Sequence, residues 1–353
     1  MKTTNVSRIL TAGLSRRAFV GASLASAATL VLAGCNSGSG STDTSSDSKA
    51  ASGEKTKITF CLDYTPNTNH TGIYVAQNKG FFADEGLEVE IVQPADGTAE
   101  GAIGTGQAQL GVSYQDYLAA AYDAGNTGLT AVAAVIQHNT SGIMSRAEDG
   151  ITHAALMEDH VYTTWDMAVE QATIKQVMTT DGGDFSKLKM VPFTVDDEVQ
   201  GLKANMFDCV WVYEGWAVQN AAVQDYPVNY FSFKDMDDVF DFYTPVLAAN
   251  NDFMKSNPDA VRAFLRAAKK GYEFAVEHPE DAAQILCDEV PELDSALVEA
   301  SAKYLADQYT ADASSWGVID GKRWAAYFQW LNDNDLVENK LDVNAGFDTS
   351  YLA

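Results

Sequence analysis

The 353-residue chain is short of positive charge and of cysteine, and each shortage excludes a class of function. Lysine and arginine number 23 against 49 aspartates and glutamates, a formal net charge of −26. Such a chain repels phosphate backbones and anionic lipid headgroups, which excludes nucleic acid as a partner. Four cysteines and five histidines show no metal-ligand spacing. Cys61, Cys209 and Cys287 lie far apart, close at most one disulfide, and read as small core residues. No Ser-His-Asp arrangement is evident either, so no catalytic set is assigned. Beyond residue 34 no segment is apolar for long enough to span a bilayer.

What is present begins with an export signal over residues 1–35. Arg16-Arg17 precedes a small, apolar stretch from Gly21 to Gly34, too short to cross a membrane. The paired arginines leave the twin-arginine and general routes both open. Leu32-Ala33-Gly34-Cys35 resembles a lipobox, which implies lipidation of Cys35 and an anchor on the outer face of the cell membrane. The signal carries Lys2, Arg8, Arg16 and Arg17 and no acid, so its removal makes the chain still more acidic. Residues 36–56, rich in Ser, Gly, Thr and Asp, bury too little to offset ordering entropy and read as a flexible tether. The remaining body, roughly 300 residues, suits two α/β lobes better than one core.

The body reads as repeated strand–tip–helix units. Ile58 to Leu62 is a β-prone apolar run, and Asp63 to His70 is a polar, aromatic loop broken by Pro66. A short helix over Thr71–Asn78 follows, with Gly80 in the left-handed position past its end. Further strands are expected at Glu88–Val92, Gln109–Val112, Ala131–Ile136, Val161–Thr163, Leu188–Phe193 and Cys209–Val212. A helix is expected from Tyr117, which leaves Ser113–Asp116 as a strand tip. The helix–strand–tip pattern of 99–117 recurs at 196–217, which implies two similarly built lobes. Residues 57–143 form the first part of lobe one, 144–241 lobe two, and 242–353 the return to lobe one with the C-terminal helices. Asn257-Pro258-Asp259 starts a helix whose apolar stripe runs from Val261 to Ala275.

The strand tips gather Asp63, Tyr64, Asn67, His70, Tyr114, Ser141, Gly142, Trp165, Glu170, Trp211, Tyr213, Glu214 and Trp216. Open α/β sheets place ligands at the carboxyl ends of their strands. Aromatic faces there suit a flat ring, and a carboxyl group matches an aminopyrimidine edge with two parallel hydrogen bonds. Glu170 and Glu214 are the candidate carboxyls, each with a plainer alternative as a helix cap or a solvated acid. Trp165 and Tyr64 have hinge packing as their plainer role, and His70 a structural place in its loop. The tips carry no lysine or arginine, which disfavours an anionic ligand.

The run Leu62-Asp63-Tyr64-Thr65-Pro66-Asn67-Thr68-Asn69-His70-Thr71-Gly72-Ile73-Tyr74-Val75-Ala76 resembles the opening signature of the ThiY-type proteins. These are solute-binding components of bacterial ABC importers for the pyrimidine half of thiamine, related to the fungal thiamine-pyrimidine synthases. The resemblance implies a type II periplasmic-binding-protein fold, two α/β lobes joined by a two-strand hinge with the ligand cleft between them. It also implies a monomer that binds an aminomethyl- or hydroxymethyl-pyrimidine, works with permease and ATPase subunits, and needs no cofactor. Binding of a riboflavin precursor, sulfonate or nitrate stands as the alternative, and a pyrimidine synthase as a further one. Against the synthase, the family's Schiff-base lysine falls at Ser113 and its histidine at Tyr117, and no cysteine cluster is present. The chain departs from the family pattern at Tyr64 and at Thr163-Thr164.

Overall fold

The computed structural model describes residues 55–94, 98–193 and 197–352. The signal, Cys35 and nearly all of the tether lie outside the described residues. Strand β1 (Thr56–Cys61) leads through the polar loop into α1 (Thr71–Asn78) and α2 (Phe81–Asp84). Gly80 joins these helices at φ +77°, as its place past the helix end requires. Then follow β2 (Leu87–Val92), α3 (Ala99–Gly104), β3 (Leu110–Ser113), α4 (Gln115–Asp123) and β4 (Leu129–Ala134).

The chain then crosses to a second sheet. Here lie β5 (Ser141–Arg146), β6 (Val161–Thr164), α5 (Ala168–Thr180), β7 (Lys189–Pro192), α6 (Glu198–Lys203), β8 (Cys209–Tyr213), α7 (Gln219–Val223) and β9 (Val228–Ser232). It returns through β10 (Val246–Asn250) and closes with α8 (Asn251–Ser256), α9 (Pro258–Glu277), α10 (Pro279–Glu289), α11 (Ser295–Ala306) and α12 (Gly321–Asp333).

The two five-stranded sheets have the orders β2-β1-β3-β10-β4 and β7-β6-β8-β5-β9. In each, the fourth strand has just arrived from the other lobe and runs antiparallel to both neighbours. This shared plan is the type II periplasmic-binding-protein fold. Segments 135–140 and 233–245 carry the two crossings. They are irregular and not strands, and are held side by side by Val135 N–H to Pro245 O at 3.0 Å and Asn139 N–H to Asp241 Oδ1 at 2.9 Å.

Several boundaries differ from the sequence reading. Ser141, Gly142 and Ile143 already pair with β8 and β9, so the chain enters the second sheet inside the segment assigned to lobe one. Val135 and Ile136 are buried but belong to the crossing and not to β4. The edge strand β9, between Pro227 and a polar turn, has no counterpart in the sequence reading. Helix α4 starts at Gln115, two residues early, because Gln115 is fully buried and clamps the return crossing. Its backbone N–H donates to Tyr243 O, and its side chain accepts from Tyr243 N–H and donates to Trp324 O. Cys61 and Cys209 are buried thiols, Cys287 is partly buried, and none is in a disulfide.

The α9 stripe packs across α1, and this crossing supports the polar loop. Tyr272 of α9 is fully buried, donates to Asn69 O at 2.8 Å, and stacks on Trp316 at 4.6 Å. Helix α11 reaches both lobes. Ser301 Oγ lies 2.6 Å from Thr68 Oγ1 and donates to Gly215 O of the second lobe.

Candidate functional site

Between the lobes, at the carboxyl ends of β1, β3, β6 and β8, lies a cavity of about 670 Å³. That volume falls within the usual range for small-molecule sites. Of the sequence candidates, Asp63, Tyr64, Asn67, Tyr114 and Glu170 line it, as do Trp165, Trp211, Tyr213 and Trp216. Tyr64, Tyr117, Trp165, Met167 and Tyr213 all expose large apolar surface within it. Such a concentration of exposed apolar groups in one concavity marks a binding surface.

The aromatic walls are themselves braced. Trp165 sits 5.6 Å from Trp211, which packs on Phe233 at 4.3 Å. Tyr114 of lobe one stacks 6.4 Å from Tyr213 of lobe two and tilts against Tyr117 at 5.2 Å. Phe242 and Tyr327 stack at 4.1 Å along the return crossing.

The loop residues divide by role. His70 is fully buried and does not line the cavity. Its Nδ1 accepts from Asn67 N–H, which leaves the proton on Nε2 to donate to Asp63 Oδ1 at 2.6 Å. Asp63 also accepts from the Tyr114 hydroxyl. His70 is therefore the structural residue that aims Asp63 and not itself a wall of the cavity. Ser141 and Gly142 are likewise buried within β5, away from the cavity wall.

Both candidate carboxyls prove to be committed elsewhere. Glu170 lines the cavity but is an N-terminal cap of α5. Its oxygens accept from Tyr162 Oη at 2.6 Å, Thr164 Oγ1 at 2.8 Å and the Trp165 backbone N–H at 3.0 Å. Those bonds hold the Trp165 tip in place and leave little capacity for another donor. Glu214 is not on the cavity wall at all. It accepts from Tyr304 Oη of α11 at 2.7 Å and so ties lobe two to the C-terminal helices.

The uncommitted acids are ones the sequence reading did not choose. Asp116 in the first turn of α4 and Glu198 in the first turn of α6 both line the cavity. Burial pushes the Asp116 carboxyl up to about 7 and Glu198 to about 6. Asp116 Oδ1 is buried with no hydrogen-bond partner among the described residues, and so is Trp211 Nε1. Unpaired buried polar atoms are uncommon in folded proteins, and these two belong to residues that line the cleft. Glu100 also lines the cavity, but accepts from Ser113 Oγ at 2.6 Å. The start of α4 was the missing signal: an acid placed in a helix's first turn, and not in a tip, faces the cleft.

The family model described as NMT1/THI5 like matches residues 67–282. The chain belongs to the NMT1/THI5-like family. A formylaminopyrimidine-binding protein of Halalkalibacterium halodurans is 27% identical over 332 residues, covering 91% of this chain and 95% of the relative. A 4-amino-5-hydroxymethyl-2-methylpyrimidine phosphate synthase of Saccharomyces cerevisiae is 25% identical over 252 residues, covering 68% and 73%. Among solved structures, the periplasmic aliphatic sulphonate binding protein of Escherichia coli matches with a TM-score of 0.64 at 14% identity, over 82% of this chain and 96% of that one. The alkanesulfonate-binding protein of Xanthomonas axonopodis pv. citri gives the same score at 11% identity, over 84% and 99%. At such identities the likeness establishes the fold. The chain is thus similar both to a binding protein and to a synthase.

Proposed function

We propose that this is an exported solute-binding protein that captures an aminopyrimidine of the thiamine-precursor class and presents it to an ABC permease. The observation that carries the reading is the cleft itself: aromatic faces and carboxyl groups, with no lysine, arginine or histidine among the described residues lining it. A flat, electron-poor ring stacks on Tyr64, Trp165 and Tyr213. Its amino group and ring nitrogen meet Asp116, whose carboxyl is poised near neutrality to accept one hydrogen bond and share a proton. A relative matched over 95% of its own length, a formylaminopyrimidine-binding protein, supports the same class of ligand.

A sulfonate or nitrate would meet carboxyls where it needs cations. Synthase chemistry would lack its lysine and histidine, since Ser113 and Tyr117 stand at those positions, and we read the protein as non-enzymatic. Calorimetry with 4-amino-5-aminomethyl-2-methylpyrimidine, its N-formyl derivative, taurine and nitrate tests the ligand class. At least one pyrimidine is expected to bind and the anions are not; the opposite outcome overturns the reading. Trp165→Ala should weaken pyrimidine binding by about 1–3 kcal/mol, from lost apolar burial and ring contact.

Export rests on the signal over residues 1–35, and anchoring on Cys35. Cys35→Ser should move the protein from the membrane fraction to the soluble one. Continued acylation and membrane retention of that variant would refute the anchor.

A further inference from the structure

The charge of the ligand is set by what faces it. Among the described residues, five carboxyl side chains line the cleft: Asp63, Glu100, Asp116, Glu170 and Glu198. Asp63, Glu100 and Glu170 are occupied by His70 and Tyr114, by Ser113, and by the α5 cap respectively. Asp116 and Glu198 have no positive partner among the described residues, and only burial, backbone hydrogen bonds and neighbouring acids act on them. The sequence of residues 95–97 and 194–196 contains no basic residue. Buried carboxyls without a countercharge are costly, and the cost is offset when a ligand brings the charge.

A second, independent feature favours the same sign. The exposed faces of Tyr64, Tyr117, Trp165 and Tyr213 present negative π density to the cavity, which attracts cations and repels anions. Outside the cleft, the −26 net charge draws cations toward the mouth.

We infer that the cleft selects a pyrimidine carrying an ammonium group, its ring edge matched by Asp116 of lobe one and its positive charge by Glu198 of lobe two, and that it rejects the phosphate ester of the same ring. This deepens the aminopyrimidine reading and rests on it. Because the two partners come from opposite lobes, the cationic ligand rewards the closed arrangement more than a neutral one does.

The test is calorimetry at pH 7 on the full mature chain with three probes. They are 4-amino-5-aminomethyl-2-methylpyrimidine, its N-formyl derivative, in which the same nitrogen is neutral, and the phosphate ester of the 5-hydroxymethyl analogue. The ammonium compound is expected to bind at least about tenfold tighter than the N-formyl compound, a factor that corresponds to about 1.4 kcal/mol. The phosphate ester is expected to give no measurable heat. Glu198→Gln should reduce the ammonium preference to about twofold, and a circular-dichroism spectrum and cooperative melting transition like those of the wild type certify that the variant is folded. Equal or tighter N-formyl binding, measurable phosphate binding, or an unchanged preference in Glu198→Gln overturns the charge inference and leaves the pyrimidine reading standing. Silence from all three probes overturns both.

Discussion

Replacing Gly271 by alanine is expected to destabilise the protein by about 3 kcal/mol or more, the upper end of overpacking costs. A Cβ at this position of α9 would sit 1.9 Å from the carbonyl oxygen of Gly72 in α1. That oxygen belongs to the backbone and cannot rotate away, so the helices would have to part. Gly72 is its counterpart, since a Cβ there would meet Tyr272 ring carbons at 2.3–2.5 Å. Parting the helices also pulls Tyr272 from Asn69 O and moves the loop that carries Asp63 and Tyr64. Ligand affinity should therefore fall along with the melting temperature. Gly125→Ala is the control: its φ is +84° but nothing lies within 4 Å, so only backbone strain of about 1 kcal/mol is expected. A Gly271→Ala melting curve that overlays the wild type would show the crossing to be looser than its geometry.

Asp116→Asn is expected to stabilise the ligand-free protein at pH 8 and to weaken pyrimidine binding. The folded carboxyl titrates near 7, above its ordinary 3.8, because burial disfavours the charged form. Between those two values the folded state holds a proton that the unfolded state has lost, so stability falls as pH rises through that window. The full shift corresponds to about 4 kcal/mol, and partial exposure to the cleft reduces it to about 2 kcal/mol. Asparagine does not ionise and escapes this loss. The variant should thus melt with the wild type at pH 4 and above it at pH 8, while binding drops with the lost acceptor. Glu198, raised to about 6, pushes stability in the same direction but is common to both proteins. An Asp116→Asn protein no more stable than wild type at pH 8 would mean the carboxyl is solvated in the free cleft.

Together these two substitutions separate scaffold from site. The first acts through two glycines chosen for close backbone approach. The second acts on a carboxyl kept at a cost to stability, a common signature of functional positions.

Much of this was written in local pattern. Apolar runs of strand length ending in aromatic, polar tips located β1, β3, β6 and β8, and with them nine cavity-lining residues. The α9 start and stripe, and Gly80 past α1, follow from capping and periodicity, which depend only on near neighbours. Charge balance was the sequence's argument against an anionic partner, made without any fold. The dual role of Glu170 was also local: all its partners lie within eight residues, so a cap was legible in the sequence.

Only tertiary structure decided which carboxyls stay free. Glu214 finds its partner 90 residues away in Tyr304, and no local pattern encodes that distance. His70 and Asp63 are seven residues apart, but complete burial of the ring, which makes it structural, comes from the packing above it. Asp116 faces the cleft because the return crossing at Tyr243 holds Gln115, 128 residues away, and so draws the helix start forward. Sequence by itself determined the existence of β1–β4 and β6–β8, the tips, the family resemblance and the acidity. The fold determined the availability of each polar group, because a hydrogen-bond partner is assigned by whichever chain segment packs nearest in space.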